Sequence, residues 1–217
     1  HVYGNPCKVE EIQKIADTYN LHVIYDAAHA FGTRYKGQSI LQFGDMSILS
    51  FHATKVFNTI EGGAIVCRDK KMKQQIDRLK NFGFAGETTV VAPGINAKMN
   101  EVQAAFGLLQ LKYIDGAISS RQAISERYVA ALKDIPGIRF IPCPSDAVTP
   151  YSYFPVLIES EKYGKTRDQV YDALKENGIY GRRYFYPLIS EFPTYKGLPS
   201  ANRDNLVVAN RAADRIL

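Results

Sequence analysis

The first part of the chain combines a segment with helical periodicity and a segment that is apolar throughout. In residues 8–19, apolar side chains recur at the spacing of one helix face: Val9, Ile12, Ile15 and Ala16. Residues 22–28 then form a short apolar run with β-branched side chains and Asp26 near its end, the pattern of a buried strand. A helix that leads into a buried strand is typical of α/β proteins with a parallel sheet, so we predict an α/β fold.

The alternation of helices and strands continues along the chain and then changes character. The pattern predicts strands at 45–51 and 63–68, and helices at 69–82, 100–114 and 119–134. It then predicts short strands within 136–144 and 151–159, a helix at 166–179, and an aromatic and basic segment at 180–187. We therefore assign residues 1–135 to part of a large α/β domain and residues 136–217 to part of a small α+β domain.

The composition indicates a folded protein with a modest positive charge. Hydrophobic residues make up 46% of the 217 residues and charged residues 23%, which is enough apolar material for a packed core. The net charge is +5 and the pI is about 9.0. Basic residues are scattered, with short clusters only at Lys70-Lys71 and Arg182-Arg183, so we expect no nucleic-acid partner. An anionic small substrate, or simply a solvated surface, fits this charge.

Cysteine usage and the length of the apolar segments indicate a cytoplasmic protein. The three cysteines are far apart and form no CxxC pair, and neither they nor the four histidines show metal-ligand spacing. We therefore expect no metal. No apolar stretch is long enough to cross a membrane, and the first residues do not resemble a signal peptide. The chain starts without Met and its last residues follow a helical pattern, so we expect an internal fragment of a longer protein.

The stretch SFHATKVFNTIEGGAIV, residues 50–66, contains a lysine with unusual neighbours. Lys55 follows a predicted strand and precedes a Glu-Gly-Gly turn, among small, hydroxyl and apolar residues. A partly desolvated lysine amine forms a Schiff base with a carbonyl compound. A solvent-exposed loop lysine is the alternative, and for a lone lysine it is the more common case. Whether Lys55 is a Schiff-base lysine or an exposed loop lysine therefore depends on the other candidate residues near it in the sequence.

Asp26 is the second candidate, because it ends a predicted buried strand. Ligands of open α/β sheets bind beyond the carboxyl ends of the strands. A carboxylate there needs a cationic partner, and the protonated ring nitrogen of pyridoxal phosphate (PLP) is such a partner in enzymes that also use a Schiff-base lysine. A carboxylate that caps the following turn is the alternative. The hydroxyl groups of Ser50 and Thr54 are candidate hydrogen-bond donors to a phosphate. His29 is placed to pack against a bound ring or to hydrogen-bond to it.

Four further motifs lie within residues 23–111: YDAAHAFG, GDMSILSFHATK, EGGAIV and GINAKMNEVQAAFGLLQL. Together they resemble the DegT/DnrJ/EryC1/StrS family of PLP-dependent sugar aminotransferases. The flanking segment 1–26 and the aromatic segment GRRYFYP extend the resemblance over nearly the whole chain. The resemblance implies part of an aspartate-aminotransferase-like (fold type I) large domain with a mixed, mostly parallel sheet, followed by part of a small α+β domain.

The resemblance also implies a role for each matching residue. Lys55 matches the Schiff-base lysine, which also moves protons, and Asp26 matches the carboxylate that binds the pyridine nitrogen. His29 falls near the phenolic oxygen of the cofactor, and Ser50 matches a hydroxyl that binds its phosphate. Asn96 matches an asparagine that reaches the cofactor phosphate of the neighbouring subunit, so the family's active site is shared across a homodimer. The segment that helps to hold the nucleotide sugar contains Arg182, Arg183, Tyr184 and Tyr186.

The resulting functional hypothesis is a PLP-dependent aminotransferase that acts on a nucleotide-linked keto-deoxy sugar. The resemblance is to enzymes that act at C4 of a dTDP-4-keto-6-deoxyhexose such as dTDP-4-keto-6-deoxyglucose, with glutamate as the amino donor. Related sugar dehydratases carry His in place of the lysine, so Lys55 favours transamination. Two alternatives remain open: a related aminotransferase that acts at C3, and a truncated, inactive module with a structural or dimerisation role.

Overall fold

The computed structural model describes all 217 residues and divides them into two compact units. The first unit comprises residues 1–124 and 143–153, and the second comprises residues 125–142 and 154–217. The chain therefore leaves the first unit, returns to it for a short segment, and then completes the second unit. The boundary expected between residues 135 and 136 concerns the domains of a longer protein and stays a prediction.

Helices and strands alternate along the chain much as the apolar pattern predicts. In chain order the elements are α1 (Val9–Tyr19), β1 (Ile24–Asp26), β2 (Arg34–Tyr35), β3 (Gln38–Ser39), β4 (Met46–Ser50), β5 (Gly63–Cys67), α2 (Lys70–Leu79), α3 (Glu101–Leu111), α4 (Ile114–Leu132), β6 (Ile138–Phe140), β7 (Ala147–Val148), β8 (Val156–Ile158), α5 (Ser160–Tyr163), α6 (Arg167–Glu176) and α7 (Val207–Ala213). None of these helices has both the length and the apolar composition that a membrane crossing requires.

The sheet that positions the candidate site has the strand order β1–β4–β5. Strand β1 runs parallel to β4, and β5 runs antiparallel to β4, so this sheet is mixed. The parallel register sets Asp26 beside Ile48, and the antiparallel register sets Ser50 beside Gly63. Because side chains alternate between the two faces of a strand, Asp26 and Ser50 lie on the same face near the carboxyl ends of β1 and β4.

The two faces of this sheet have different surroundings. On one face, Tyr25 and Leu49 join Val9 of α1 and Ile40 in the buried core of the first unit. On the other face, Ile24, Ile48 and Ile65 leave 54%, 47% and 49% of their surface exposed. A strand that is apolar on both faces is typical of sheets covered on both sides, and the pattern of 22–28 is of that type. Only one of the faces is covered within this chain.

The apolar pattern did not predict a small hairpin that follows β1. Strands β2 and β3 pair antiparallel through the turn Lys36-Gly37, where both residues have positive φ values of 50° and 77°. A two-residue turn of this kind matches the twist of a hairpin and favours Gly at its second position. Strand β7 pairs with the other edge of β2, and this pairing attaches the segment 143–153 to the first unit.

Side-chain caps set the starts of several helices. The Asp69 carboxylate accepts a hydrogen bond from the Met72 amide at 2.7 Å ahead of α2, and Asn100 caps α3 in the same way. Thr166 and Gln169 form a reciprocal capping box at the start of α6. These groups satisfy amides that the first helical turn leaves without partners. Helices α1, α2, α3 and α6 start within one residue of the predicted positions, whereas α4 starts at Ile114 instead of residue 119.

The second unit is built around a two-stranded sheet and a buried arginine. Strands β6 and β8 pair antiparallel, and the amide of Val156 also bonds to the Leu217 carbonyl at 2.9 Å. The Arg167 side chain is 1% exposed, and its Nη1 donates to the carbonyl oxygens of Ala213 and Ile216 at 2.8 Å each. Arg167 thus attaches the end of the chain to the start of α6, by bonding to the carbonyl of the last residue of α7 and to that of Ile216 beyond it.

Candidate active site

Lys55 lies on a closed loop between β4 and β5. The Phe51 amide donates to the Gly62 carbonyl at 2.8 Å, and the Thr59 amide donates to the Phe51 carbonyl at 2.9 Å, so the two ends of the loop are tied together. Within the loop, the Lys55 amide donates to the His52 carbonyl at 2.9 Å. The lysine backbone is therefore held by a tight turn near the carboxyl end of β4.

Aromatic packing beneath the loop fixes the direction of the lysine side chain. Val56 and Phe57 directly follow Lys55 and are buried. The Phe57 ring stacks on Phe31 with 4.4 Å between centroids and meets Phe51 edge-on at 4.8 Å. Burial of side chains of this size stabilises a loop conformation by several kcal/mol in total, at about 1.5–3 kcal/mol for each. The two buried side chains hold this part of the loop, and Lys55 beside them is partly buried.

The Lys55 amine contacts a tyrosine that is distant in sequence. Lys55 Nζ donates a hydrogen bond to the Tyr153 hydroxyl at 3.1 Å, and it lies 5.8 Å from the centroid of that ring. No carboxylate lies within ion-pair distance of the amine. The lysine amine is therefore oriented by a neutral partner, without the strong electrostatic attraction of a salt bridge.

His29 lies in the same cluster and carries a perturbed pKa. Burial first, and the positive charge of Lys55 second, lower the pKa of His29 from 6.5 to about 4, while the Asp26 carboxylate acts in the opposite direction. The Tyr3 amide donates to His29 Nδ1 at 3.0 Å. A neutral imidazole that accepts at Nδ1 carries its proton on Nε2, so His29 presents an Nε2–H donor near neutral pH.

Asp26 ends β1 with its carboxylate exposed beside this cluster. Oδ1 accepts a hydrogen bond from the Ala28 amide at 3.0 Å, which is the turn-capping role that the sequence left open as an alternative. Oδ2 accepts no hydrogen bond, so the capping role and the binding of a cationic ring nitrogen are compatible. The electrostatic effects of both Asp26 and Lys55 on His29 show that the three side chains lie in one neighbourhood.

The hydroxyl groups expected to bind phosphate lie on the Lys55 loop. Ser50 Oγ accepts a long hydrogen bond from the His52 amide at 3.4 Å, so its hydroxyl hydrogen remains available. Thr54 is more strongly engaged, since its Oγ1 lies 2.8 Å from His52 Nδ1, which also accepts from the Thr54 amide. Of the two hydroxyl groups, that of Ser50 is therefore the better hydrogen-bond donor to a phosphate.

Asn96 and the predicted sugar-binding residues are not part of the Lys55 cluster that the first unit forms. The Asn96 backbone forms a β-bridge with Asn81, its side chain is exposed, and no hydrogen bond joins it to the Lys55 cluster. The predicted sugar-binding residues lie in the second unit: Arg182, Arg183, Tyr184 and Tyr186. No group of three or more His, Cys, Asp or Glu side chains is arranged to hold a metal ion.

The two neighbouring arginines of the second unit differ in their contacts. Arg183 Nη1 donates to Asp168 Oδ1 at 2.9 Å, and this hydrogen bond is the main reason that the pKa of Asp168 lies below its usual range. The Arg183 guanidinium also lies 4.6 Å from the Tyr171 ring centroid and 5.2 Å from that of Tyr186. Arg182 is exposed and makes no such contact. Arg183 is therefore held in place, and Arg182 is available to an anion.

The donor set around Lys55 fits PLP. An amine suits the cofactor aldehyde, the Asp26 carboxylate suits a protonated ring nitrogen, and the Nε2–H of His29 suits the phenolic oxygen. The glycines after the loop add a steric argument. A Cβ on Gly62 would come within 2.4 Å of Thr59 Oγ1, and one on Gly63 would come within 2.7 Å of the Leu49 carbonyl oxygen. Only glycine lets β5 approach the base of the Lys55 loop this closely.

An α/β sheet with a lysine, a carboxylate and a neutral imidazole near its strand ends has the features that a PLP-dependent enzyme needs, and sequence comparison identifies the family. Residues 1–217 match the DegT/DnrJ/EryC1/StrS aminotransferase family. The chain belongs to this family, so the resemblance noted from its motifs is confirmed. Its α/β architecture, with part of a fold type I large domain, is confirmed by the structural neighbours described next.

Three relatives illustrate the similarity. The chain is 53% identical to dTDP-4-amino-4,6-dideoxy-D-glucose transaminase of Escherichia coli over 220 residues, which cover 100% of this chain and 58% of that enzyme. The structure of the present chain matches that of DesI, which was solved in the presence of its TDP-sugar product. The TM-score is 0.90, with 35% sequence identity, and the match covers 54% of the DesI chain. It also matches S. venezuelae DesV, solved in complex with a ketimine intermediate, with a TM-score of 0.90 and 27% identity over 57% of that chain. The chain thus spans a little over half the length of these proteins.

Reasoning from the sequence missed two residues of the cluster. The pattern predicts a short strand within 151–159, and this strand covers only Val156–Ile158, so Tyr153 lies outside it. No motif singles out Tyr3, whose amide sets the His29 tautomer. The only sequence signal at either site is a local excess of tyrosine, in VYG and YSYF. Neither tyrosine has a periodic pattern that relates it to Lys55.

Proposed function

We propose that this chain carries the lysine-bearing part of a PLP-dependent aminotransferase that acts on a nucleotide-linked keto-deoxy sugar. The observation that carries the proposal is the placement of the Lys55 amine, free of any carboxylate, beside neutral His29 and the Asp26 carboxylate. The 53% identity with the Escherichia coli dTDP-4-amino-4,6-dideoxy-D-glucose transaminase supports dTDP-4-keto-6-deoxyglucose as the sugar and C4 as the carbon aminated.

Each residue of the cluster has a defined task in this proposal. PLP, when bound, supplies an electron sink that stabilises negative charge on the α-carbon of the amino donor. Lys55 Nζ would hold the cofactor covalently and, when free, would take the α-proton of the donor and return a proton when the keto sugar is aminated. Asp26 would keep the ring nitrogen protonated, and the Nε2–H of His29 would donate to the phenolic oxygen. The Ser50 hydroxyl would donate to the phosphate.

The proposal includes a homodimer with a shared active site. Asn96 makes no contact with the Lys55 cluster of its own chain, as expected if it reaches the cofactor phosphate in a second copy. Helix α3 begins a few residues later and exposes apolar side chains, including Val102 at 76% and Leu108 at 66%. Exposed apolar side chains of this kind mark an interaction surface. Glutamate as amino donor rests on the family resemblance, and a cytoplasmic location rests on the cysteine usage.

The lysine assignment is tested by trapping the cofactor. PLP is added to the complete gene product, the visible absorption of a Schiff base is recorded, and the adduct is reduced with borohydride and located by peptide mapping. We expect a band in the wild type with the adduct on Lys55. Lys55→Ala should remove both, and Lys14→Ala, which alters an exposed lysine of α1, should remove neither. An adduct spread over surface lysines would contradict the assignment.

The substrate assignment is tested by incubating the holoenzyme with glutamate and dTDP-4-keto-6-deoxyglucose. We expect an amino sugar whose nitrogen is shown by NMR to be on C4. Nitrogen on C3 of a 3-keto substrate, with no reaction at C4, would support the C3 alternative. A protein that binds no PLP but still dimerises would support the inactive structural module.

A further inference from the structure

The contact between Lys55 and Tyr153 joins residues separated by 98 positions in sequence. We propose that Tyr153 is a positioning residue, which holds the Lys55 amine whenever that amine is not bonded to the cofactor. The proposal rests on the proposed function, because it assigns a place to the amine after its release. It gives Lys55 two defined positions, one on the cofactor and one on the Tyr153 hydroxyl.

The chemistry of a phenol suits this task. A tyrosine hydroxyl has lone pairs that accept from an ammonium group, and an O–H that donates to a neutral amine. It therefore holds Lys55 in both protonation states, whereas a carboxylate would favour the charged state alone. The amine that leaves the cofactor must gain and lose a proton during transamination. A neutral partner keeps it in place during both events.

The surroundings of Tyr153 keep its hydroxyl in a fixed position. Its ring lies 4.5 Å from the His29 ring and 5.6 Å from the Tyr3 ring, measured between centroids. Pro150, three residues earlier, is fully buried and lies against Gly4, where an added Cβ would come within 2.9 Å of the proline ring. Aromatic packing on two sides and this buried turn limit the movement of the hydroxyl, so it is preorganised to receive the amine.

The same ring also connects the lysine to the cofactor-facing imidazole. Tyr3 donates through its amide to His29 Nδ1, and the Tyr3 side chain meets Tyr153 edge-on. These three side chains, Tyr153, His29 and Tyr3, thus form one packed aromatic group, and the Lys55 amine contacts it through the Tyr153 hydroxyl. Removing only the Tyr153 hydroxyl should leave this packing in place and free the amine, so Tyr153→Phe isolates the proposed interaction.

The first test measures the reactivity of Lys55 without cofactor. The cofactor-free complete gene product is pulsed with a trace of acetic anhydride, and the acetylation of each lysine is measured by mass spectrometry. In Tyr153→Phe we expect Lys55 to react about five-fold faster, the effect of losing one ordinary hydrogen bond, while other lysines are unchanged. The matched control is Tyr19→Phe, which removes the hydroxyl of an exposed tyrosine. Equal Lys55 rates in wild type and Tyr153→Phe would overturn the proposal.

The second test measures the affinity for PLP by visible absorption. Since Tyr153 stabilises the free amine in competition with the cofactor, Tyr153→Phe should bind PLP about five-fold more tightly. A residue that only maintained the shape of the pocket would give the opposite sign, so weaker binding would overturn the proposal. Failure of the proposed function is distinguishable, because the wild type would then form no adduct on Lys55. Absence of that adduct would overturn both the proposed function and the role of Tyr153, whatever the acetylation rates.

Discussion

Lys55 in the first unit and Arg183 in the second are both cations that lie over tyrosine rings, yet their partners differ. Arg183 forms an ion pair with Asp168 at 2.9 Å and lies over two rings. Lys55 contacts one tyrosine hydroxyl and no carboxylate. A cation paired with a carboxylate is neutralised and held, and a cation on a neutral hydroxyl keeps its chemistry available. The group that contacts each cation, more than its tyrosine-rich surroundings, therefore separates the chemical role of Lys55 from the structural role of Arg183.

The strongest test of this comparison is the activity of two alanine variants of the complete gene product. Lys55→Ala should reduce turnover by at least about 10²-fold, since proton transfer alone contributes factors of 10²–10⁴. Arg183→Ala should retain most of the turnover number. The measurement is the initial rate of amino sugar formation at saturating substrate. Similar losses in the two variants would show that the comparison is mistaken.

The next largest effect is a loss of folding stability when Asp168 can no longer form ion pairs with Arg183 and Arg167. Asp168 lies between Arg183 and the buried Arg167, with both bonded to Oδ1. Asp168→Asn leaves the Arg167 guanidinium buried without its carboxylate, and we expect a loss of about 1–2 kcal/mol in the free energy of unfolding. This is less than for a fully buried pair, because the Asp168 side chain is 52% exposed. Urea unfolding measures it, and Asp172→Asn, on the same helix, is the control.

The pH dependence of Asp168 follows from its lowered pKa. Because the folded protein binds a proton on Asp168 less readily than the unfolded chain does, this stabilisation is complete above the ordinary aspartate pKa of 3.8 and is lost as the pH falls below it. Asp168→Asn should therefore flatten the acid limb of the stability profile. An unchanged acid limb would contradict the role of this ion pair.

His29 should show the corresponding behaviour in the first unit. Its pKa falls from 6.5 to about 4 on folding, so the unfolded chain takes up the proton first. The contribution of neutral His29 to stability is complete above pH 6.5 and declines as the pH falls from 6.5 towards 4. NMR titration of the imidazole should show a transition near pH 4, and His29→Gln should remove both this transition and that part of the pH dependence. A midpoint near 6.5 would contradict the burial argument.

The smallest expected effect separates the two neighbouring arginines. Arg182→Gln should change the free energy of unfolding by less than about 0.5 kcal/mol, because the side chain is exposed and unpaired. It should weaken the binding of dTDP several-fold if this arginine contacts the diphosphate. Isothermal titration calorimetry measures the affinity. Unchanged dTDP affinity in Arg182→Gln would remove this arginine from the substrate site.

The parts of the fold that could be predicted are those in which neighbouring residues decide the outcome. Helix α1 and strands β1, β4 and β5 follow from the period of apolar side chains, and their ends from local caps and glycines. The hairpin of β2 and β3 was missed because strands of two residues are too short to show alternation. The short strand expected within 151–159 is β8, and it covers only Val156–Ile158, while Tyr153 packs against His29 and Tyr3.

The α/β class, the family and four candidate residues follow from the sequence alone. The candidates are Lys55, Asp26, His29 and Ser50, and each stands in a short motif next to a strand end. Three other features appear only once the chain is folded: the contact of Tyr153 with the lysine, the His29 tautomer set by the Tyr3 amide, and the neutralisation of Arg183 but not of Arg182. The reason is physical: strand ends and turns depend on local dihedral preferences, whereas the partner of a polar side chain depends on which distant segments the packed core brings within hydrogen-bonding distance.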